Sequence, residues 1–169
     1  MKFLSAIEAP HVRTNVDMLL MLDELVRQGW VDGASAARRI QKDESEAETV
    51  LIGLSKTLLQ GAPLLVEVQG VPPGASSAWR LSDAVRSMLP NRLQPIMAGR
   101  GRLGLLIGWV RARGRVSSTE AADLLGVSTP TAGKQLQELE AEGLVKPSRP
   151  GRRGSGFHYV LADGEAAAN

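Results

Sequence analysis

The stretch that decides the fold is AADLLGVSTPTA, residues 121–132. The alanines at its two ends are small enough for two helices to approach closely, and Gly126 can adopt the positive φ of a tight turn. Ser128 is expected to cap the second helix, and Pro130 fits its first turn because that position needs no N–H donor. Two short helices joined by a turn that contains glycine form the helix-turn-helix pattern, which the stretch therefore predicts.

The sequence around this stretch completes a winged helix. Before it, a helix with one apolar face is stopped by Gly114, and Ser117 with Glu120 has the spacing of a capping box. After it, two short strands enclose a basic loop rich in proline and glycine, which is typical of a wing. The predicted elements are helices over 102–113, 118–125 and 129–142, strands over 144–146 and 157–161, and a wing loop over 147–156.

The first half of the chain has the same pattern as the second. When the sequence is shifted by 85 positions, Gly29 falls on Gly114 and Val31 falls on Val116, and apolar positions continue to match without a gap. We interpret the halves as two copies of one fold. The first copy is predicted to contain helices over 18–28, 34–41, 45–59 and 82–89 and strands over 64–69 and 78–81.

Together these patterns predict a mainly α protein with small β-hairpins, an α+β fold of two tandem winged helix-turn-helix domains. Residues 1–90 are expected to form a winged-helix-like domain for dimerisation or partner binding. Residues 91–99 are expected to be a linker, and residues 100–162 a DNA-binding winged helix. Residues 163–169 are expected to be a disordered tail.

Composition narrows the class of protein. Hydrophobic residues make up 43% and charged residues 22%, as in an ordinary globular protein. The absence of cysteine excludes disulfides and cysteine nucleophiles. His11 and His158 lie far apart in the sequence, so no metal and no other cofactor is expected. No signal peptide and no membrane-length apolar run is present, so we expect a cytoplasmic, nucleoid-associated protein without a membrane partner.

Charge is distributed unevenly along the chain. Residues 1–89 carry 9 basic and 11 acidic side chains, whereas residues 90–160 carry 11 basic and 5 acidic ones. This asymmetry predicts a polyanionic partner for the second half. In the first half, the helix that corresponds to the recognition helix opens with four carboxylates between residues 43 and 48. Phosphates would be repelled there, which favours a protein partner or a second copy of the chain over DNA.

The free face of the predicted recognition helix carries polar residues suited to double-stranded DNA. Hydroxyls near its N-terminus are expected to meet base edges and phosphates, and longer side chains are expected to enter the major groove. We expect two groups of arginines to contact the DNA backbone or the minor groove. One group lies in the wing loop, and the other lies in the segment before the first helix of this half. The candidate DNA-binding residues are Ser128, Thr129, Thr131, Lys134, Gln135, Arg149, Arg152, Arg153, Arg100 and Arg102.

Residues 116–159 resemble the winged-helix domains of bacterial transcription regulators of the MarR type and the C-terminal winged helix of some Fic-type proteins. The resemblance lies in LGVSTPTA at 125–132, GLV at 143–145 and the GRRG wing at 151–154. It implies a DNA-binding fold; the Fic catalytic signature does not occur, so that activity is not implied. The whole chain is similar to the C-terminal tandem winged-helix part of bacterial regulators with AlbA-like or ATP-binding front ends, through residues 11–41 and 79–82.

Two other kinds of site are not expected. GRGRLG at 99–104 matches the dinucleotide-binding pattern GxGxxG, but no strand precedes it, so we interpret it as a flexible basic linker. No nucleophile, base and acid combine into a catalytic set, which argues against an enzyme.

Two hypotheses of different classes follow. The first is a transcriptional regulator that reads double-stranded DNA with the helix over 129–142 and the wing over 147–156, with a homodimer or a protein partner formed through the first half. The alternative is a non-enzymatic scaffold subunit of a chromosome-associated or regulatory complex, in which winged helices bind protein.

Overall fold

The computed structural model describes residues 9–89, 100–151, 154 and 156–162, with the backbone alone described for residues 100–102. The chain divides into two compact units, Met1–Pro95 and Ile96–Asn169. The linker over 91–99 and the tail over 163–169 that the sequence predicts lie outside the described residues. Among the described residues, every helix is too short or too polar to cross a lipid bilayer.

The N-terminal unit combines helices with small antiparallel sheets. Its elements are α1 (Pro10–Thr14), α2 (Val16–Gln28), β1 (Val31–Asp32), α3 (Gly33–Ile40), α4 (Glu44–Ser55), β2 (Leu58–Leu59), β3 (Ala62–Pro63), β4 (Leu65–Glu67), β5 (Ala78–Leu81) and α5 (Asp83–Met88). Strands β1, β5 and β4 form one sheet in that order, and β2 pairs with β3 in a separate hairpin.

The helices of the N-terminal unit enclose a core of leucines. Leu25, Leu51 and Leu54 are almost fully buried, and they belong to helices α2 and α4. Burying each such side chain contributes about 2 kcal/mol to folding. Asn15 caps α2 by accepting a hydrogen bond from the Met18 N–H, as predicted, and so helps to fix where this core helix begins.

The predicted helix over 45–59 is wrong at its end. Helix α4 stops at Ser55, and Leu58 and Leu59 form strand β2 instead. Gln60 and Gly61 both have positive φ, 51° and 78°, and so form the kind of turn that matches the twist of a tight hairpin. As a result Leu58, which the helical pattern places on the inner face, is 42% exposed, and Leu59 is buried in its place.

The C-terminal unit has the order of elements that the sequence predicts. Its elements are α6 (Arg100–Arg113), α7 (Ser118–Leu125), α8 (Thr129–Ala141), β6 (Val145–Pro147) and β7 (Tyr159–Leu161). Strands β6 and β7 are antiparallel, and Val116 adds a β-bridge to Tyr159. Helices predominate and the sheets are small and antiparallel, which confirms the predicted α+β class.

Trp109 lies at the centre of the C-terminal core. Its ring is fully buried with Leu106, Leu124 and Leu136, which come from all three helices of this unit. The guanidinium of Arg113 lies 5.0 Å from the ring centroid, a cation–π contact one helical turn further along α6. The tryptophan therefore anchors α6 inside its own unit.

The two units use the same local devices 85 positions apart. Each ends its first long helix with a left-handed glycine, caps the next two helices with a short polar side chain, and places a left-handed residue between those helices. These devices fix the helix boundaries in both units. The corresponding residues are Gly29 and Gly114, Asp32 and Ser117, Gln41 and Gly126, and Asp43 and Ser128.

The left-handed turn between α7 and α8 predicts a measurable cost of substitution. Gly126 has φ of 66°, a conformation in which a side chain is strained by about 1–2 kcal/mol. We expect Gly126→Ala to lower the free energy of unfolding by about that amount, measured by urea denaturation. The matched control is Gly104→Ala, since Gly104 is helical and a Cβ there would meet no atom within 4 Å. We expect that control to gain about 0.5–1 kcal/mol. Equal effects of the two substitutions would contradict the assignment.

Candidate nucleic-acid interface

Helices α7 and α8 approach closely because small residues lie between them. Ala121 on α7 and Ala132 on α8 are fully buried. A Cβ built on Gly133 would lie 3.9 Å from the Ser118 Oγ, so α8 passes close to the beginning of α7. The helix pair therefore positions the first turn of α8 at the surface of the unit. The sequence predicts that this turn contacts DNA.

The first turn of α8 is uncharged and exposed. Ser128 caps the helix by accepting a hydrogen bond of 3.4 Å from the Thr131 N–H, and the two hydroxyls lie 2.8 Å apart. Ser128, Thr129 and Thr131 are all exposed, and no acidic residue occurs in this turn. The positive end of the helix dipole is thus left open to an anion such as phosphate.

The long side chains of α8 are arranged differently from the prediction. Lys134 is exposed, as expected. Gln135 is only half-buried, but its Oε1 is buried and has no hydrogen-bond partner among the described residues. Gln135 lies beside buried Leu136 at the edge of the inner face, and its Oε1 does not face solvent with Lys134.

Gln137 is an exposed polar residue of α8 that the candidate residues from the sequence do not include. It is exposed and lies three positions after Lys134, which places the two side chains on neighbouring sites of one helix face. Glu138 is exposed beside them. Helical periodicity indicates the exposure of Gln137. Ala132, Leu136 and Leu139 define the inner face of α8, so Gln137 falls on the opposite face.

The described part of the wing contributes one of the predicted arginines. Arg149 is exposed, and its Nη2 lies 3.3 Å from the position that a Cβ on Gly154 would occupy, so its guanidinium lies over the loop. Arg152 and Arg153 lie outside the described residues. Arg100 and Arg102 begin helix α6, earlier than the predicted start at 102, and their side chains also lie outside the described residues.

A buried carboxylate fixes the start of α7. Glu120 is 1% exposed, and its Oε2 accepts a hydrogen bond of 2.6 Å from the Ser117 N–H. The same oxygen lies 3.6 Å from the Arg115 Nη2, so the capping box is also an ion pair with a half-buried guanidinium. Because α7 supports α8, this pair helps to position the candidate interface.

The corresponding helix of the N-terminal unit has the opposite character. Asp43 caps α4, and Glu44, Glu46 and Glu48 are exposed in its first turns. A Cβ built on Gly33 would lie 3.0 Å from the Glu44 Cγ and 3.3 Å from the Glu48 Cγ, so these two side chains cover the start of α3. The start of α4 thus presents several carboxylates to solvent.

Basic side chains near α4 are held by carboxylates of α2. Arg39 lies 2.9 Å from Asp23 and 3.4 Å from Glu24, and Lys42 lies 2.7 Å from Asp17. The hydrogen bond and the charge of Asp17 raise the pKa of Lys42 above its usual value. Arg39 and Lys42 are therefore already paired with carboxylates of their own unit.

Comparison with known proteins finds a family similar to part of the second half. Residues 104–154 match the model of the MarR family. The match spans most of α6, the α7–α8 pair with its candidate interface, strand β6 and most of the wing loop. No curated protein matches the chain.

A solved structure is similar over nearly the whole chain. The DIP2311 protein from Corynebacterium diphtheriae matches with a TM-score of 0.75 and 20% sequence identity. The match covers 95% of this chain and 29% of that one, so this chain spans less than a third of the length of that protein. At this identity the likeness shows a shared fold.

The buried ion pair below the interface predicts a large loss of stability on truncation. Glu120→Ala leaves the Ser117 N–H and the Arg115 guanidinium without their carboxylate, so we expect a loss of about 2–3 kcal/mol in urea denaturation. The matched control is Glu46→Ala, which removes an exposed capping-box carboxylate of α4 and should cost less. Equal losses would show that burial of Glu120 adds nothing to its capping role.

Proposed function

We propose that this protein is a transcriptional regulator that binds double-stranded DNA through its C-terminal unit. A MarR-family winged helix suggests a DNA-binding regulator in general. The observation that carries the proposal is the exposed, uncharged first turn of α8, followed on the same surface by Lys134. An N-terminus without carboxylates is what a recognition helix needs next to phosphates and base edges.

In the proposed complex, α8 enters the major groove. Thr129 and Thr131 would contact phosphates or base edges, with Ser128 ordering the turn. Lys134 and Gln137 would reach bases, since a lysine suits guanine and a glutamine can pair bidentately with adenine. In this proposal Gln137 takes the place of Gln135, because the amide oxygen of Gln135 is buried.

The backbone contacts in this proposal come from arginines on either side of the helix pair. Arginines on a wing suit the phosphate backbone or the minor groove, and such contacts strengthen binding without reading sequence. The residues we assign to this role are Arg149, Arg152, Arg153, Arg100 and Arg102.

For the N-terminal unit we propose a winged helix that does not bind DNA. The shared caps and left-handed residues 85 positions apart support a tandem arrangement, and the acidic start of α4 argues against phosphate contact. Dimerisation or binding of a protein partner is the role left to such a unit. Joining two chains there would present two reading helices to neighbouring half-sites.

The DNA-binding proposal is tested by fluorescence anisotropy with random-sequence duplex at several salt concentrations. We expect binding that weakens with salt. We expect Arg149→Ala to reduce the slope of log affinity against log salt by about 1, because Arg149 is assigned to the phosphate backbone, and we expect Lys134→Ala to weaken binding. Glu48→Gln on α4 is the control that should leave both affinity and slope unchanged. Absence of binding at every salt concentration would favour the scaffold hypothesis.

Base reading by α8 is tested by selecting preferred duplexes from a random pool. We expect Gln137→Ala to relax preference at one base position, worth about 1–3 kcal/mol of discrimination. Gln135→Ala is the matched control on the same helix, and it should keep the preferred sequence because its amide oxygen is buried. A changed preference in Gln135→Ala, with none in Gln137→Ala, would reverse the assignment of the two glutamines.

A further inference from the structure

The wing hairpin has an outward face whose residues can be read from its strand register. Val145 and Tyr159 are buried on the inner side, where Pro147 pairs with Tyr159. Side chains alternate along a strand, so the pair Lys146 and Val160 points the other way. Ser148, one residue after β6, and His158, one residue before β7, continue this outward row.

Ser148 and His158 are joined through their backbones. The Ser148 N–H donates to the His158 carbonyl at 2.9 Å, and the Ser148 Oγ accepts from the His158 N–H at 3.4 Å. On the inner side, the rings of Phe157 and Tyr159 pack edge to face with centroids 5.2 Å apart. This packing fixes the alternation and so holds the imidazole of His158 on the outward side.

The imidazole of His158 is oriented by the backbone. Its Nδ1 lies 2.7 Å from the Gly156 carbonyl oxygen, which can only accept, so Nδ1 carries a hydrogen. Nε2 is then the ring nitrogen that remains to face a ligand. A protonated ring therefore has a second N–H, on Nε2, to offer to a ligand.

The charged groups on the elements around His158 favour an anion. Lys146 lies on β6, and Arg149 lies in the wing loop. Across the bridge from Val116 to Tyr159 lie Arg115 and Glu120, and the carboxylate of Glu120 already binds Arg115 and the Ser117 N–H. The described surroundings are thus mainly cationic, which suits a phosphate.

We infer that His158 and Ser148 form a phosphate contact of the wing, with Lys146 adding charge on the same face. The inference rests on the proposed DNA binding and extends it beyond the arginines of the loop. A phosphate beside the ring stabilises the imidazolium, so the complex takes up a proton when it forms. Because binding is then coupled to proton uptake, the affinity for DNA should increase as the pH falls.

The chain offers a clean test because it contains two histidines, and His11 lies in α1 of the other unit. Anisotropy with one fixed duplex is measured at constant ionic strength between about pH 8 and about pH 6. We expect wild-type affinity to increase about fivefold on acidification. We expect His158→Gln to lose that increase and His11→Gln to retain it. Circular dichroism checks that each variant is folded.

Two further variants separate a phosphate contact from an indirect effect. His158→Lys carries a permanent charge, so it should bind well at both ends of the pH range and lose the pH dependence. Ser148→Ala should weaken binding at all pH values while keeping part of the dependence.

The outcomes distinguish this inference from the proposed function. A wild-type affinity that does not change with pH, or a His158→Gln variant with the wild-type dependence, overturns the histidine contact while DNA binding stands. Absence of binding at every pH, with Lys134→Ala equal to wild type, overturns both.

Discussion

The close approach of α7 and α8 is the constraint on which the C-terminal unit depends. It requires small side chains at the fully buried Ala121 and Ala132 and a left-handed turn at Gly126. The capping ion pair of Glu120 fixes where α7 begins, and the Ser128 cap fixes where α8 begins. Once both starts are set, the inner and outer faces of α8 are set too, and with them the residues that a ligand can meet.

One set of local devices supports two different surfaces in this chain. Helices α4 and α8 are each capped by a short polar residue and buried through an alanine and two leucines. Their exposed first turns differ, because α4 presents glutamates where α8 presents threonines. Local structure is therefore set by caps and core positions, and the partner is selected by the remaining positions, which are free to vary.

Much of the helical framework was predictable from sequence because its signals are local. The capping box at Ser117, the left-handed glycines and the strand over 78–81 follow from a few neighbouring residues. The MarR-type resemblance of the second half is confirmed over residues 104–154. These features need no knowledge of what packs against them.

The features that sequence missed depend on tertiary context. Leu58 and Leu59 fit a helical pattern, but the Gln60–Gly61 turn pairs them with β3, and positive φ at a glutamine has no strong local signal. The two-residue strand β1 is too short to show a period. For Gln135, residue type predicts a place on the reading face, whereas its amide oxygen is buried in the structure. The residue type indicates which contacts a side chain can make. Its position around the helix decides whether the side chain faces a ligand.

The close crossing of the helices has a consequence for how the two units could exchange parts. In the N-terminal unit the small residue at the crossing is Gly33, on the first helix of the pair, and Glu44 and Glu48 cover it. In the C-terminal unit it is Gly133, on the second helix, facing Ser118. A transplant of α4 into the position of α8 would set Glu48 against Ser118, with glycine on neither side. The glycine therefore lies on opposite partners of the two helix pairs, so a chimera that exchanges a single helix brings together side chains that face each other in neither unit.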